Sequence, residues 1–186
     1  MTPLPRHAAL LVIDVQRAID APYWGPRNNP DGERNIAALI QGWRSSGRPI
    51  YHIRHDSTEP SSAYRPGEPT HDFKAEAMPL PGETVIGKHT NSAFIGTDLE
   101  KRLRDAGQTT VVICGVLVHN SVETTARMAG NLGFDTYVAA DATWAVDKLL
   151  LDGRVMKADD MHALSLANLA GEYATIVTTA ELLAAL

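Results

Sequence analysis

Short apolar runs rich in β-branched residues recur along the chain at 8–13 (ALLVID), 49–54 (PIYHIR), 84–87 (TVIG), 109–114 (TTVVIC), 134–140 (FDTYVAA) and 174–178 (ATIVT). Runs of this length predict six strands buried on both faces. Helical spacing fills the intervals at 31–46, where Ile36, Leu39, Ile40 and Trp43 share a face, and at 97–106, 119–132, 159–171 and 179–186. Strands alternating with helices predict a parallel sheet sandwiched by helices. Several boundaries carry their own signals. Asp31 opens one helix, Thr97 with Glu100 has the spacing of a capping box, and Gly47 and Gly107 follow two helix ends.

Two stretches, 20–30 and 56–82, lack periodicity and are too long for simple connectors. Loops of that size in an α/β domain are often functional. No repeat, low-complexity tract or linker divides the chain, so residues 1–186 are expected to form one domain.

Ligands of open parallel sheets bind beyond the carboxyl ends of the strands. That rule brings Asp14, His55 with Asp56, Lys88, the segment Gly115 to Ser121, and Asp141 to Trp144 to one rim. Composition then narrows the partners. Seventeen basic residues against 22 acidic give a net charge of −5, without any long basic block, which argues against nucleic acid or an anionic membrane. The apolar run near the N-terminus is cut short by Asp14, and no stretch has membrane-spanning length. The only cysteine, Cys114, allows no internal disulfide and fits a reducing cytoplasm.

Each rim residue has a chemical and a structural reading. Asp14 ends a buried apolar strand, where an ionised carboxylate needs a partner or caps the next turn. Lys88 ends the third strand likewise, either neutralising Asp14 or standing solvated at the surface. Ser121 follows a strand–glycine–turn into a helix, the place for a nucleophile facing backbone N–H groups or for an N-cap. Cys114 lies in the apolar run VVIC and is expected to face the core, inert. His52 and His55, three apart on a strand, point to opposite faces, and His71 is remote in sequence, so no metal is expected. No glycine signature of a dinucleotide or ATP site is present, and no cofactor is expected. Tyr23, Trp24, His55, Phe73, His119 and Trp144, from the long loops and the rim, are the expected pocket wall for a small molecule.

LLVIDVQ at 10–16, GKHTNSAFIGTDL at 87–99 and CGVLVHNSVETTARMAGNLGFDTYVAADAT at 114–143, in this order and spacing, resemble the isochorismatase-like, or cysteine hydrolase, superfamily. The resemblance covers nearly the whole chain. It implies a Rossmann-like three-layer α/β/α sandwich with a six-stranded parallel sheet, assembled into dimers or larger homo-oligomers. It also implies a catalytic aspartate and lysine at Asp14 and Lys88, and a cis peptide between Val116 and Leu117 that turns backbone N–H groups into the pocket. The family's nucleophilic cysteine falls on Ser121, and its threonine on Val118. Two activities follow from the resemblance: hydrolysis of an amide or imide through Asp14, Lys88 and Ser121, or protonation of a vinyl ether by Asp14 with His119 binding the substrate. A binding protein that lost turnover with its cysteine is the third reading.

Overall fold

The computed structural model describes residues 2–186. Its elements are β1 (Ala9–Ile13), α1 (Gly32–Ser46), β2 (Ile50–His55), β3 (Thr84–Lys88), α2 (Leu99–Asp105), β4 (Thr110–Gly115), α3 (Glu123–Asn131), β5 (Asp135–Thr143), β6 (Lys148–Leu149), β7 (Val155–Met156), α4 (Ala158–Leu169), β8 (Thr175–Val177) and α5 (Thr179–Ala184). Six strands form one all-parallel sheet in the order β3-β2-β1-β4-β5-β8. Strand β1 is central, with Leu10 opposite Ile50 on one side and Val112 on the other.

Successive side chains of a strand leave opposite faces, so a central strand apolar at every position feeds two cores. Leu10 and Val12 pack with Ile36, Leu39, Ile40 and Trp43 of α1 and Leu182 of α5. Ala9, Leu11 and Ile13 pack with Leu99 and Leu103 of α2, Ala126 and Ala129 of α3 and Leu169 of α4. The result is the expected three-layer α/β/α sandwich. All five β1 residues are fully buried, and each large side chain among them contributes about 1.5–3 kcal/mol.

The elements depart from the sequence reading in four places. The segment predicted as helix from 119 begins with one π turn, Val118–Val122, and becomes α-helical only at Glu123. Strand β5 runs past its expected end to Thr143, because its register against β4 shifts between Ile113 and Gly115 and takes up extra residues. The antiparallel ribbon of β6 and β7 was not anticipated; each strand is two residues long, too short for a periodicity to register. The Thr97–Glu100 capping box does not form: Thr97 Oγ1 donates to the Ala93 carbonyl and Glu100 pairs with Arg104. A true capping box joins Thr178 and Glu181 instead. Asp31 precedes α1 but makes no capping hydrogen bond, and pairs with Arg34 on the surface. Among the described residues no helix is long and apolar enough to cross a membrane.

Two positions test what holds the layers in place. Gly115, at φ +113°, lies so close to β1 that a Cβ there would stand 2.1 Å from the Ile13 carbonyl oxygen. Gly133 also has positive φ, at +82°, but meets nothing within 4 Å. Gly115→Ala is expected to lower the urea midpoint by the equivalent of about 3 kcal/mol or more, since backbone must move. Gly133→Ala should cost only about 1 kcal/mol of backbone strain.

At the opposite end of the sheet, Arg44 of α1 grips both oxygens of Glu83 at 2.7 and 2.8 Å, and His52 Nε2 lies 2.9 Å from the same carboxylate. The Arg44 guanidinium holds the Glu83 carboxyl down at about 2, against an ordinary 4.5. A depressed carboxyl contributes stability above its unfolded value and loses it as pH falls through the folded one. Stability is therefore expected to drop between pH 4.5 and about 2, more steeply in the wild-type chain than in Glu83→Gln. Urea titrations of both at a series of pH values measure the difference.

Candidate active site

The sheet order reverses between β1 and β4, and that switch point is where the rim residues meet. Asp14 follows the last residue of β1 with φ 54°, a left-handed conformation that aspartate tolerates better than most residues. Its N–H donates to the Ile53 carbonyl at 2.9 Å, and its side chain is almost wholly withdrawn from water. Lys88, the last residue of β3, is fully buried. Two such charges persist out of water only when paired and hydrogen-bonded. Lys88 Nζ donates to Asp14 Oδ2 at 2.7 Å and to the Thr90 carbonyl at 3.0 Å. Ser121 Oγ and His55 Nδ1 each lie 3.3 Å from the same nitrogen. Asp14 Oδ1 is buried and has no hydrogen-bond partner among the described residues.

Ser121 reaches this position through a tight turn. Gly115 abuts Ile13, the Val116 N–H donates to the Ile13 carbonyl at 2.8 Å, and the Val116–Leu117 peptide is cis. The Val118 N–H then donates to the Trp144 carbonyl at 2.9 Å, and the π turn carries Ser121 to the rim. Ser121 is buried and makes no capping hydrogen bond; neither the π turn nor α3 has a side-chain cap. Its hydroxyl is held by Lys88 instead.

A cavity of about 160 Å³ opens over these groups, with Asp14, His55 and Ser121 in its wall. Of the expected wall residues, Tyr23 and Trp24 contribute from the turn Pro22–Trp24, and Val116 and Leu117 from the loop after β4. Three others lie off it. Trp144 is fully buried in the core, with the Arg27 guanidinium 3.8 Å from its ring centroid. Phe73 is buried against His52 and pairs its backbone with Gln16. His119, although adjacent in sequence to the site, does not line the cavity; burial lowers its pKa to about 4, aided by Lys148, so its ring is neutral.

The cavity wall also includes Ile19, Ser62, Tyr64, Asn91 and Asn120, which the sequence reading missed. Tyr64 is the most informative. It is buried beneath Trp24 and His55, meeting both edge-on, and its hydroxyl donates to the Asp14 carbonyl at 3.3 Å. Burial raises its pKa well above the ordinary phenol value, so it stays neutral. Gln16, also missed, is fully buried and ties two segments together. Its amide donates to the carbonyls of His55 and His71 at 3.1 and 2.7 Å, and accepts from the His55 N–H at 2.7 Å. The only signal for either was position, one two residues beyond Asp14 and one inside the proline-rich loop.

Cys114 stands in β4 within the core, where burial pushes its thiol pKa far up and leaves it unreactive. The histidines are committed separately: His52 to Glu83, His71 to Asp56 at 2.7 Å, and His55 beside Lys88. Among the described residues no group of three or more histidine, cysteine, aspartate or glutamate side chains is placed to hold a metal ion.

The chain as a whole, rather than the site residue by residue, has counterparts among known proteins. Residues 8–181 match the isochorismatase domain family. The isochorismatase family protein YrdC of Bacillus subtilis is 42% identical over 175 residues, 94% of each chain. A streptothricin hydrolase of Streptomyces noursei is 34% identical over 137 residues, 72% of this chain and 53% of that protein. The crystal structure of an isochorismatase-family protein from Chromobacterium violaceum superposes with a TM-score of 0.96 at 54% identity, covering 100% of this chain and 97% of that one. By matched length, identity and fold alike, the chain belongs to the isochorismatase family and is related to hydrolases.

Proposed function

We propose that the protein hydrolyses a C–N bond, of an amide or imide, in a compact small molecule, with Ser121 as nucleophile, Lys88 as its proton acceptor and Asp14 as the anion that holds Lys88. The observation that carries this reading is the single nitrogen, Lys88 Nζ, bonded at once to Asp14 and within 3.3 Å of the Ser121 hydroxyl in a cavity wall. A thiol ionises near pH 8.5 and needs little help; a serine hydroxyl needs a committed base. Lys88 is the group within reach. A serine in the place of the family's cysteine therefore retains a route to attack, provided that Lys88 can pass a proton onward.

Attack converts the substrate carbonyl to an oxyanion, which requires donors already in position. The Leu117 N–H makes no hydrogen bond to another described residue, and Leu117 lines the cavity beside Ser121. It is the available donor for that oxygen. The cavity volume of about 160 Å³ suits a ligand smaller than the drug-sized molecules that fill typical pockets. The relationship to a streptothricin hydrolase supports a hydrolytic reaction on a substrate of its own.

One observation favours acid catalysis by Asp14 on a vinyl ether: the buried, unpartnered Oδ1 beside the cavity. His119, cast as the substrate-binding group in that route, lies outside the cavity, so the route loses its second member. A silent binding protein would retain a buried ion pair that contributes little to stability by itself.

Substitution at Ser121 separates these readings. With a substrate found by screening amides, imides and vinyl ethers, Ser121→Ala is expected to lower kcat by several orders of magnitude, as for a member of a catalytic triad. Under acid catalysis it should cost little, and undiminished turnover would remove the nucleophile. Asp14→Asn is expected to abolish turnover in both routes; full activity in that variant would leave the binding reading. Dialysis against a chelator tests the remaining chemistry. Turnover is expected to be unchanged, because no triad of ligands is assembled at the site.

A further inference from the structure

An alkylammonium has three N–H bonds, yet four acceptors surround Lys88 Nζ. Asp14 Oδ2 and the Thr90 carbonyl take the two shorter bonds, at 2.7 and 3.0 Å. Ser121 Oγ and His55 Nδ1, both at 3.3 Å, compete for the third. The arrangement is the one a proton would need to enter Lys88 from one side and leave by the other. His55 is placed to receive it. Its ring lines the cavity, Nδ1 is turned to Lys88, and Nε2 has no partner among the described residues.

Resting on Ser121 as nucleophile, we infer that His55 is a further catalytic residue, which passes the Lys88 proton to the leaving nitrogen of the substrate. As Ser121 Oγ bonds to the carbonyl carbon, its proton moves to Lys88 Nζ and a Lys88 proton moves to His55 Nδ1. The proton on His55 Nε2 moves to the leaving nitrogen as the C–N bond breaks. Lys88 ends with the three protons it began with, the amine leaves neutral, and His55 now carries its proton on Nδ1. Hydrolysis of the acyl-enzyme runs the chain backward. Water bonds to the acyl carbon and gives a proton to Nε2, Nδ1 returns its proton to Lys88, and Lys88 reprotonates Ser121 Oγ. Every proton is accounted for.

Three physical points favour this over a proton lodged on Asp14. An imidazole is the stronger base by reference values, about 6.5 against 3.9 for a carboxylate. With the proton passed to His55 rather than to Asp14, the 2.7 Å contact between Lys88 and the Asp14 carboxylate is kept throughout the cycle. The ring must also begin neutral: burial is the largest influence on His55 and lowers its pKa, with Lys88 and His89 acting the same way and Asp14 and Asp56 against it. Tyr64, edge-on at 5.6 Å, and Gln16, bonded to both the His55 N–H and carbonyl, fix the ring at this spot.

The test uses two acetyl donors that differ in the leaving atom: p-nitrophenyl acetate, whose phenolate departs without a proton, and p-nitroacetanilide, whose nitrogen cannot. Wild-type protein should form an acetyl adduct on Ser121 with the ester, located by peptide mass. His55→Gln should slow adduct formation with both donors, because the Lys88 proton loses its outlet, and should slow it further with the anilide, so that the ratio of ester to anilide acylation rates rises about 100-fold or more, the range of a lost general acid. An unchanged ratio with the adduct present would overturn the role of His55 and leave Ser121 standing. Absence of the adduct, with full ester turnover in Ser121→Ala, would remove the nucleophile and the relay together. A measurement independent of turnover covers a protein that accepts neither donor. The ¹⁵N spectrum of the resting wild-type imidazole should place the His55 proton on Nε2, and a proton on Nδ1 would overturn the relay.

Discussion

A fully buried lysine held 2.7 Å from a nearly buried aspartate is the contact on which the rest of the site depends. Taking both charges out of water is costly, and their attraction only offsets the cost when geometry is good and the remaining donors are used. Here Thr90, His55 and Ser121 surround the lysine nitrogen. Loss of either charge would strand the other, at about 3–5 kcal/mol. The pair is thus weak support for the fold taken alone and a strong constraint on it once present: β1 and β3, not neighbours in the sheet, must end at matching heights.

The sheet supplies that match. Strand β2 lies between β1 and β3, with Ile13 opposite Ile53 and His55 opposite Lys88. A parallel register carries the end of each strand to the same rim, so Asp14, His55 and Lys88 arrive together without any loop having to place them. The fourth member comes from the other side of the switch point. Ser121 sits on a turn, but the turn is anchored to β1 by the Val116 N–H and by the close approach of Gly115 to Ile13. Sites borne on strand ends are held more precisely than sites on free loops.

How much of this was legible in the sequence follows from the range of the interactions involved. Strand positions and the three-layer order were legible because burial on both faces writes itself into consecutive residues, as in ALLVI at 9–13. Asp14 and Lys88 were legible as residues at strand ends and Ser121 as the residue that a glycine turn carries to the same rim, and the resemblance to a family singled out these positions. Tyr64 and Gln16 were not, since each matters through partners 50 and 39 residues away. Trp144 was placed at the wall as a rim residue and Phe73 as part of a long loop; both are buried instead. His119 was misplaced for a geometric reason. On a helical turn residues two apart leave on different sides, so His119 and Ser121, both on the turn Val118–Val122, do not both face the cavity.

A hydroxyl nucleophile asks more of the groups around it than a thiol does. A thiolate can form ahead of attack, stabilised by a nearby cation and a helix start, so a protein with a cysteine separates ionisation from bond formation. A hydroxyl gives no such intermediate at neutral pH, and its proton must leave as the new bond forms. The base then needs somewhere to send a proton in the same event. A lysine bonded only to an aspartate offers a poor outlet, because the proton would neutralise the carboxylate that keeps the ammonium buried. In the proposed reaction a neutral imidazole on the far side of the lysine removes that conflict: charge would move along the line Ser121, Lys88, His55, while Asp14 would keep its own. The ring that lines the cavity and the ion pair beneath it thereby become parts of one device, and the loop residues that fix the ring, Gln16 and Tyr64, enter the chemistry through it.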